Sequence, residues 1–492
     1  MKSASTLFLV FFISISTFSY SQNEVLRFKI NTKNTRSKKT TYSLVNSKTN
    51  DLAFLVTDRK QIHANLFDAD FQVISQFSFE APKRKFLDPL AYSINDGIYN
   101  LLYATRNFSK LIVISINFNT KTTKTKELDF EIGKELYIDT IVHNNEMFML
   151  TSDKTSIIIR TLSNDKNLET VKSFKVNENS KNDILYESNP DYWGYFWLQI
   201  AESNITKIDH RIPISIEQAS TPNKLYKFND QLIISLEDEE EDKGTLVYTF
   251  DLNTFDITEQ IFTYPKGKID DFRKYNSFIH EDKIFQLASS RKEMSFQIKD
   301  FNDKVLKEFY ITKEDSITFK NGPIIQEGQT ALPFQKRREL EAASKYLRKI
   351  SSGDIGLSIV KVNNLYEITL GGYKQIQSGG GFGAGFGVNS MAFNTGAGTF
   401  VPVFNPTFFN YNSYTSTKAT FFDTVLTKNL EHVKKEFEPT INDCIDDYMV
   451  DYKGITAEDL FFIDNTPYYA YINQKKKEFI LVKFKTCQNN NK

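Results

Sequence analysis

Short runs of alternating apolar and polar residues recur along this chain, interrupted by turns rich in Asn, Asp or His. Ile94-Asn95-Asp96-Gly97-Ile98 leads into Tyr99-Asn100-Leu101, and Val142-His143-Asn144-Asn145-Glu146 leads into Met147-Phe148-Met149-Leu150. The arrangement returns at Phe228-Asn229-Asp230-Gln231, Ile279-His280-Glu281-Asp282, Val362-Asn363-Asn364-Leu365 and Ile463-Asp464-Asn465-Thr466, with weaker copies at Asn46 and Asn189. Period-two apolarity marks strands with one buried face, and Asn and Asp tolerate the left-handed backbone of tight hairpins. A second set of turns falls between these anchors, at Asp68-Ala69-Asp70, Asn117 to Asn119, Asn164-Asp165, Asp251 to Asn253, Asn302-Asp303 and Lys428-Asn429. Two hairpins per repeat predict four strands.

Successive anchors lie 49, 48, 46, 40, 51, 83 and 101 residues apart. Five of these gaps match one four-stranded propeller blade, and the two long ones hold insertions. The expectation is an all-β protein: a β-propeller of eight four-stranded blades, with seven as the alternative count and stacked β-sandwiches as the alternative architecture. The last unit provides only three strands, and Val25-Leu26-Arg27-Phe28-Lys29-Ile30-Asn31 reads as the missing fourth. N- and C-terminal strands would then close the ring and leave no open edge between first and last blades. In this repeat pattern the chain resembles exported bacterial β-propellers, over nearly its whole length. Its richness in Asn, Lys, Phe and Ile is similar to that of exported Bacteroidota proteins. No Trp-Asp, kelch-type or Asp-box motif repeats, so no functional residue follows from the resemblance.

Two insertions depart from the repeat. Residues 334–350 predict an amphipathic helix, with Leu340, Ala343, Leu347 and Ile350 on one face and Lys336, Arg337, Arg338, Lys345, Arg348 and Lys349 giving the remainder a positive bias. It would pack its stripe on the ring's flank or dock an acidic partner. Residues 375–417 carry no charge and form a Gly- and aromatic-rich loop. Glycine frees the backbone, and spaced rings supply apolar contact area. Phe382, Phe386, Phe393, Phe400, Phe404, Phe408, Phe409, Tyr411 and Tyr414 are the candidate contact residues. A spacer, or a flap over the ring's own face, is the other reading of the loop.

Residues 1–21 read as a signal peptide, because Lys2 precedes a Leu7-to-Ile15 apolar run and Ser19 and Ser21 are small residues before the cut. A single domain would then occupy 22–492, beginning near Gln22, in the periplasm, at the outer membrane or outside the cell. Export places Cys444 and Cys487 where a disulfide can form, closing a loop worth about 4 kcal/mol in the chain-entropy model. With 61 basic and 61 acidic residues and a mean hydropathy of −0.39, the chain matches neither a nucleic-acid binder nor a membrane-spanning protein.

Candidate chemistry is sparse. The five histidines are dispersed, and His143 and His280 occupy positions where other repeats carry Asn or Asp, so both are expected to make turns. No HExxH or GxSxG occurs. The acidic run Glu237 to Asp242 reads as a solvated hairpin tip, with calcium as the alternative, and Asp443, Asp446, Asp447 and Asp451 invite the same two readings. Tyr192 to Trp197 holds both tryptophans, as a buried strand pair or a stacking platform. No cofactor, metal or catalytic residue is assigned. The sequence points to a non-catalytic exported propeller that binds a protein or other macromolecule at the cell envelope through the uncharged loop. The alternatives are a propeller hydrolase or lyase acting on glycans or peptides at the central opening, and a peripheral membrane-associated protein.

Overall fold

A computed structural model describes residues 22–30, 39–58, 60–105, 108–133, 135–153, 155–175, 205–237, 244–327, 337–374, 404–413 and 419–484. These residues form seven sheets in a propeller-like repeat. The first three are regular four-stranded antiparallel meanders, running from Thr40 to Glu80, Ala91 to Glu127 and Leu136 to Lys175. The fourth, Asn223 to Thr263, gains an extra inner strand, Ile205–Ile208, that runs parallel to Asn223–Phe228. The fifth runs from Lys274 to Thr312. Seven sheets rather than eight are present among the described residues; the weak anchor at Asn189 lies outside them.

The seventh sheet joins the two ends of the chain. Ile455–Ile463, Thr466–Asn473 and Glu478–Phe484 are followed by Gln22–Lys29, which pairs antiparallel with Glu478–Phe484. Phe28 stacks on Phe479 at 4.9 Å and reaches Phe67 of the first sheet at 5.5 Å, so the closing strand also joins sheets seven and one. Apolar cores run on from sheet to sheet. Leu44 and Leu55 pack with Tyr99 and Leu101 between sheets one and two, and Leu102 and Val113 with Met147 and Met149 between two and three. Phe148 and Ile159 pack with Leu232 and Tyr248 between three and four, and a large cluster around Tyr226, Phe285 and Tyr366 joins four, five and six. The first strand of the third sheet is buried at all but one position, whereas Thr122–Glu127, the fourth strand of the second sheet, is exposed at all but one. First strands are therefore inner and fourth strands outer.

The meander order fixes two ends for every sheet. Turns between first and second strands, and between third and fourth, share one end, here called the turn face. Links between second and third strands, and crossovers to the next sheet, share the other, the insertion face. Contacts between neighbouring turns support one common turn face. Asn145 Nδ2 donates to Asn46 Oδ1 at 2.7 Å, His143 Nε2 lies 3.2 Å from Asp230, and Lys361 pairs with Glu281 at 2.9 Å. The expected turn residues adopt left-handed φ values: 50° at Asp96, 49° at Asn144, 50° at Asn229, 49° at Asn363 and 53° at Asp464. At the second set of turns, side chains cap the backbone, as where Asp68 Oδ1 accepts from the N–H groups of Asp70 and Gln72.

The sixth sheet departs most from the sequence reading. Its inner strands, Asp354–Val362 and Leu365–Tyr373, pair in order with Ala419–Leu426, but the next strand, Ile324–Glu327, comes from upstream in the chain. Arg337–Leu340 then pairs on the outer edge of that strand. The helix expected over 334–350 is correspondingly shorter. Of its described residues, 337–340 are strand, because an open sheet edge recruits them, and only Ala343–Ile350 is helical. Helix α1 is Ile216–Ala219, α2 is Ala343–Ile350, α3 is Pro406–Ser413 and α4 is Ile441–Met449. Ala343, Tyr346, Leu347 and Ile350 are buried, so α2 lays its apolar stripe against the sheets as one of the two readings expected. No helix among the described residues is long and apolar enough to cross a membrane.

Candidate functional site

Several inner strands are bridged by the chain itself, through α3 and the residues around Asp209. Asn405, Pro406 and Thr407 start α3 in the way caps dictate: Asn405 Oδ1 accepts from Thr407 N at 3.0 Å and Phe408 N at 3.3 Å, and proline occupies the first helical position. Asn405 Nδ2 donates to Asp459 Oδ1 at 2.6 Å, while Ser43 Oγ donates to Asp459 Oδ2 at 2.6 Å. Two residues on, Thr407 Oγ1 donates to Asp209 Oδ2 at 2.5 Å. Arg211 grips Asp209 with two bonds of 2.8 and 2.6 Å, and its guanidinium lies 4.0 Å from the centre of the Phe462 ring. Asn410 pairs with Gln218 of α1. Nearby, Lys207 Nζ lies 2.9 Å from Asp139 Oδ1 and donates to Thr140 O at 2.6 Å.

These contacts tie sheets one, three, four and seven to part of the uncharged insertion. All three carboxylates are buried, and their partners divide them electrostatically. Burial pushes Asp459 up to about 6, with the Ser43 and Asn405 bonds opposing it, and raises Asp139 despite Lys207. Burial also works against Asp209, but Arg211, Thr407 and a backbone N–H hold its carboxyl well below the usual range. Each carboxylate has fixed internal partners, an arrangement suited to locking strands together.

The expected contact residues divide along the same line. Phe404 packs 5.2 Å from Tyr42 and 5.9 Å from Tyr92. Phe408 and Tyr411 pack on the core of the seventh sheet, Tyr411 also donating to Asp446 at 2.9 Å, and Phe409 is half-buried. This described part of the insertion turns inward onto the chain's own body. Phe382, Phe386, Phe393, Phe400 and Tyr414 lie outside the described residues. Cys444 is buried on α4 beside Ile445 and Leu460; Cys487 lies outside the described residues.

Other expectations are refined. Glu237 is buried at a strand end, where its Oε2 accepts from Tyr264 at 2.7 Å and Thr245 at 3.1 Å, so it is no part of a solvated tip; 238–242 lie outside the described residues, as do Tyr192 to Trp197. Asp443 closes a capping box with Thr440 at the start of α4, a structural use for one member of that acidic group. His143 and His280 sit at the ends of turn-forming strands, and burial lowers the pKa of both, that of His280 to about 4. No group of three potential metal ligands exists among the described residues. Sequence reasoning missed the bridging residues. Their signals are a carboxylate inside an apolar inner strand, as in Ile138-Asp139-Thr140, and the Asn405-Pro406 helix start.

No protein-family model and no curated protein matches the chain. Among solved structures, a prolyl endopeptidase aligns with a TM-score of 0.34 and 10% identity, over 92% of this chain and 51% of its own. A Synechocystis apocarotenoid oxygenase variant aligns with a TM-score of 0.27 and 7% identity, over 56% of this chain and 61% of its own. The chain thus spans about half the length of the first and six-tenths of the second. The fold assignment rests on the seven sheets themselves.

Proposed function

We propose that the chain is an exported, non-catalytic β-propeller of seven blades that binds a macromolecule at the cell envelope through its insertion face. The observation that carries this reading is the use of the inner carboxylates: where a propeller enzyme would gather its catalytic groups, Asp139 pairs with Lys207, Asp209 with Arg211 and Thr407, and Asp459 with Asn405 and Ser43. Contact then falls to the link between the second and third strands of the sixth sheet, whose sequence includes Phe382, Phe386, Phe393 and Phe400. Helix α3 anchors one end of that link, and Tyr373, paired with Ala419, anchors the other. Cleavage before Gln22 leaves the closing strand whole, which is compatible with export.

The experiment is affinity purification of the full exported chain from its native envelope, beside a variant lacking residues 377–401. The deletion spares Phe404 and α3. Loss of a co-purifying envelope component with no fall in melting temperature supports the reading. Undiminished recovery from the variant rejects the role of the segment, and saturable binding to protein-free anionic vesicles would favour peripheral membrane attachment.

A further inference from the structure

Between the first and second sheets, at the insertion face, lies an open cavity of about 480 Å³. That is the size of a small-ligand site. Its walls are set by internal bonds. Tyr42, 5% exposed, donates its hydroxyl to Asp88 Oδ1 at 2.5 Å. Burial, and then the Asp88 charge, push the Tyr42 phenol well above its usual range, so the proton stays on Tyr42 and Asp88 Oδ2 is left to accept. Asp58 Oδ1 accepts from the N–H groups of Lys60 and Gln61, both at 2.9 Å, which aims the carboxylate. The crossover carrying Arg84 and Phe86 is pinned where Phe86 N donates to Lys83 O and Leu87 N to Ala104 O, both at 2.9 Å. Tyr103 completes the aromatic lining, and Lys85 places its ammonium 5.2 Å from the centre of the Phe86 ring.

The charges select the ligand. A simple cation would meet Arg84, and a simple anion would meet Asp58 and Asp88. A neutral molecule with many hydroxyls satisfies both signs, since carboxylates accept from hydroxyls, a guanidinium donates to them, and aromatic faces cover C–H surfaces. We propose that this cavity binds a neutral pyranose unit of a glycan, with Asp58, Asp88 and Arg84 bonding hydroxyls against the Phe86 ring. The inference goes beyond contact through residues 377–401, and its test does not depend on recovering an envelope partner.

The test is calorimetric titration of the full exported chain with maltotriose, cellotriose, chitotriose and mannotriose. Saturable binding of at least one is expected. Asp88→Asn, which keeps the shape but removes the charge, should weaken it about tenfold or more, and Arg84→Ala, on the exposed rim, about threefold or more. Should Asp88→Asn melt early, the Arg84 variant decides alone. The proposal is overturned if no trisaccharide binds, if both variants bind as the parent does, or if trialanine or trilysine binds more tightly than every trisaccharide.

Discussion

The turn face and the insertion face are made from the same repeats yet follow opposite rules. On the turn face the links are short, left-handed residues recur at matching positions, and side chains bridge different sheets, the first and third at Asn46 and Asn145 and the fifth and sixth at Glu281 and Lys361. On the insertion face the links lengthen into residues 238–243, α2 and the uncharged segment. Short links hold register between neighbouring strands, and long ones are tolerated because loop-closure entropy grows only slowly with length. One face is therefore constrained by stability, and the other is free to acquire contacts. Helix α3 carries part of the insertion onto inner strands.

The largest expected effect lies on those inner strands. Lys207→Met leaves Asp139 buried without its ion-pair partner and should cost about 3–5 kcal/mol in denaturant unfolding, far more than any exposed pair on either face. Next comes a pH effect at Asp459. Its folded pKa, near 6, stands above the unfolded value of about 3.9, so its contribution to stability is fully present below pH 4 and is lost as the pH rises through 6. Asp209, with a depressed folded pKa, acts in the opposite sense and loses its contribution as pH falls. Asp459→Asn should therefore gain on the parent by about 2–3 kcal/mol between pH 4 and pH 7.5. Equal pH profiles for the two proteins would contradict this electrostatic picture.

Smaller effects separate the faces directly. Gly97 has a φ of 72°, and an added Cβ would meet nothing within 4 Å, so Gly97→Ala on the turn face should cost about 1 kcal/mol through backbone conformation alone. Removing residues 377–401 should not destabilise the chain, because shortening the link about sevenfold favours closure by about 1.5 kcal/mol. A deletion that destabilises more than Gly97→Ala would show that the segment belongs to the folded body.

What the sequence reveals follows this division. Local rules operate at the turn face, so Asn95-Asp96-Gly97 and Val362-Asn363-Asn364 announce their hairpins, and the missing fourth strand after Phe484 points to Gln22–Lys29. Long-range choices leave no local mark. Residues 337–340 carry a helix-like pattern but become strand because Ile324–Glu327 presents an unpaired edge, a tertiary contact that outweighs propensity. The bonds of Asp459 reach Asn405, 54 positions away, and Ser43, 416 positions away, and only the fold brings them together. Within the uncharged insertion, composition suggested a free arm, while the Asn405-Pro406 cap marked a helix bound to the chain's own inner strands.

The most direct measurement compares the two faces in one recovery experiment. Tagged parent, the 377–401 deletion and a turn-face variant carrying Glu146→Lys with Asp282→Lys are purified from the native envelope, and co-purifying material is quantified by mass spectrometry. Parent and turn-face variant should recover the same component in equal amounts while the deletion recovers none. Loss with the turn-face charges, and retention after the deletion, would place recognition on the opposite side of the molecule and contradict the account.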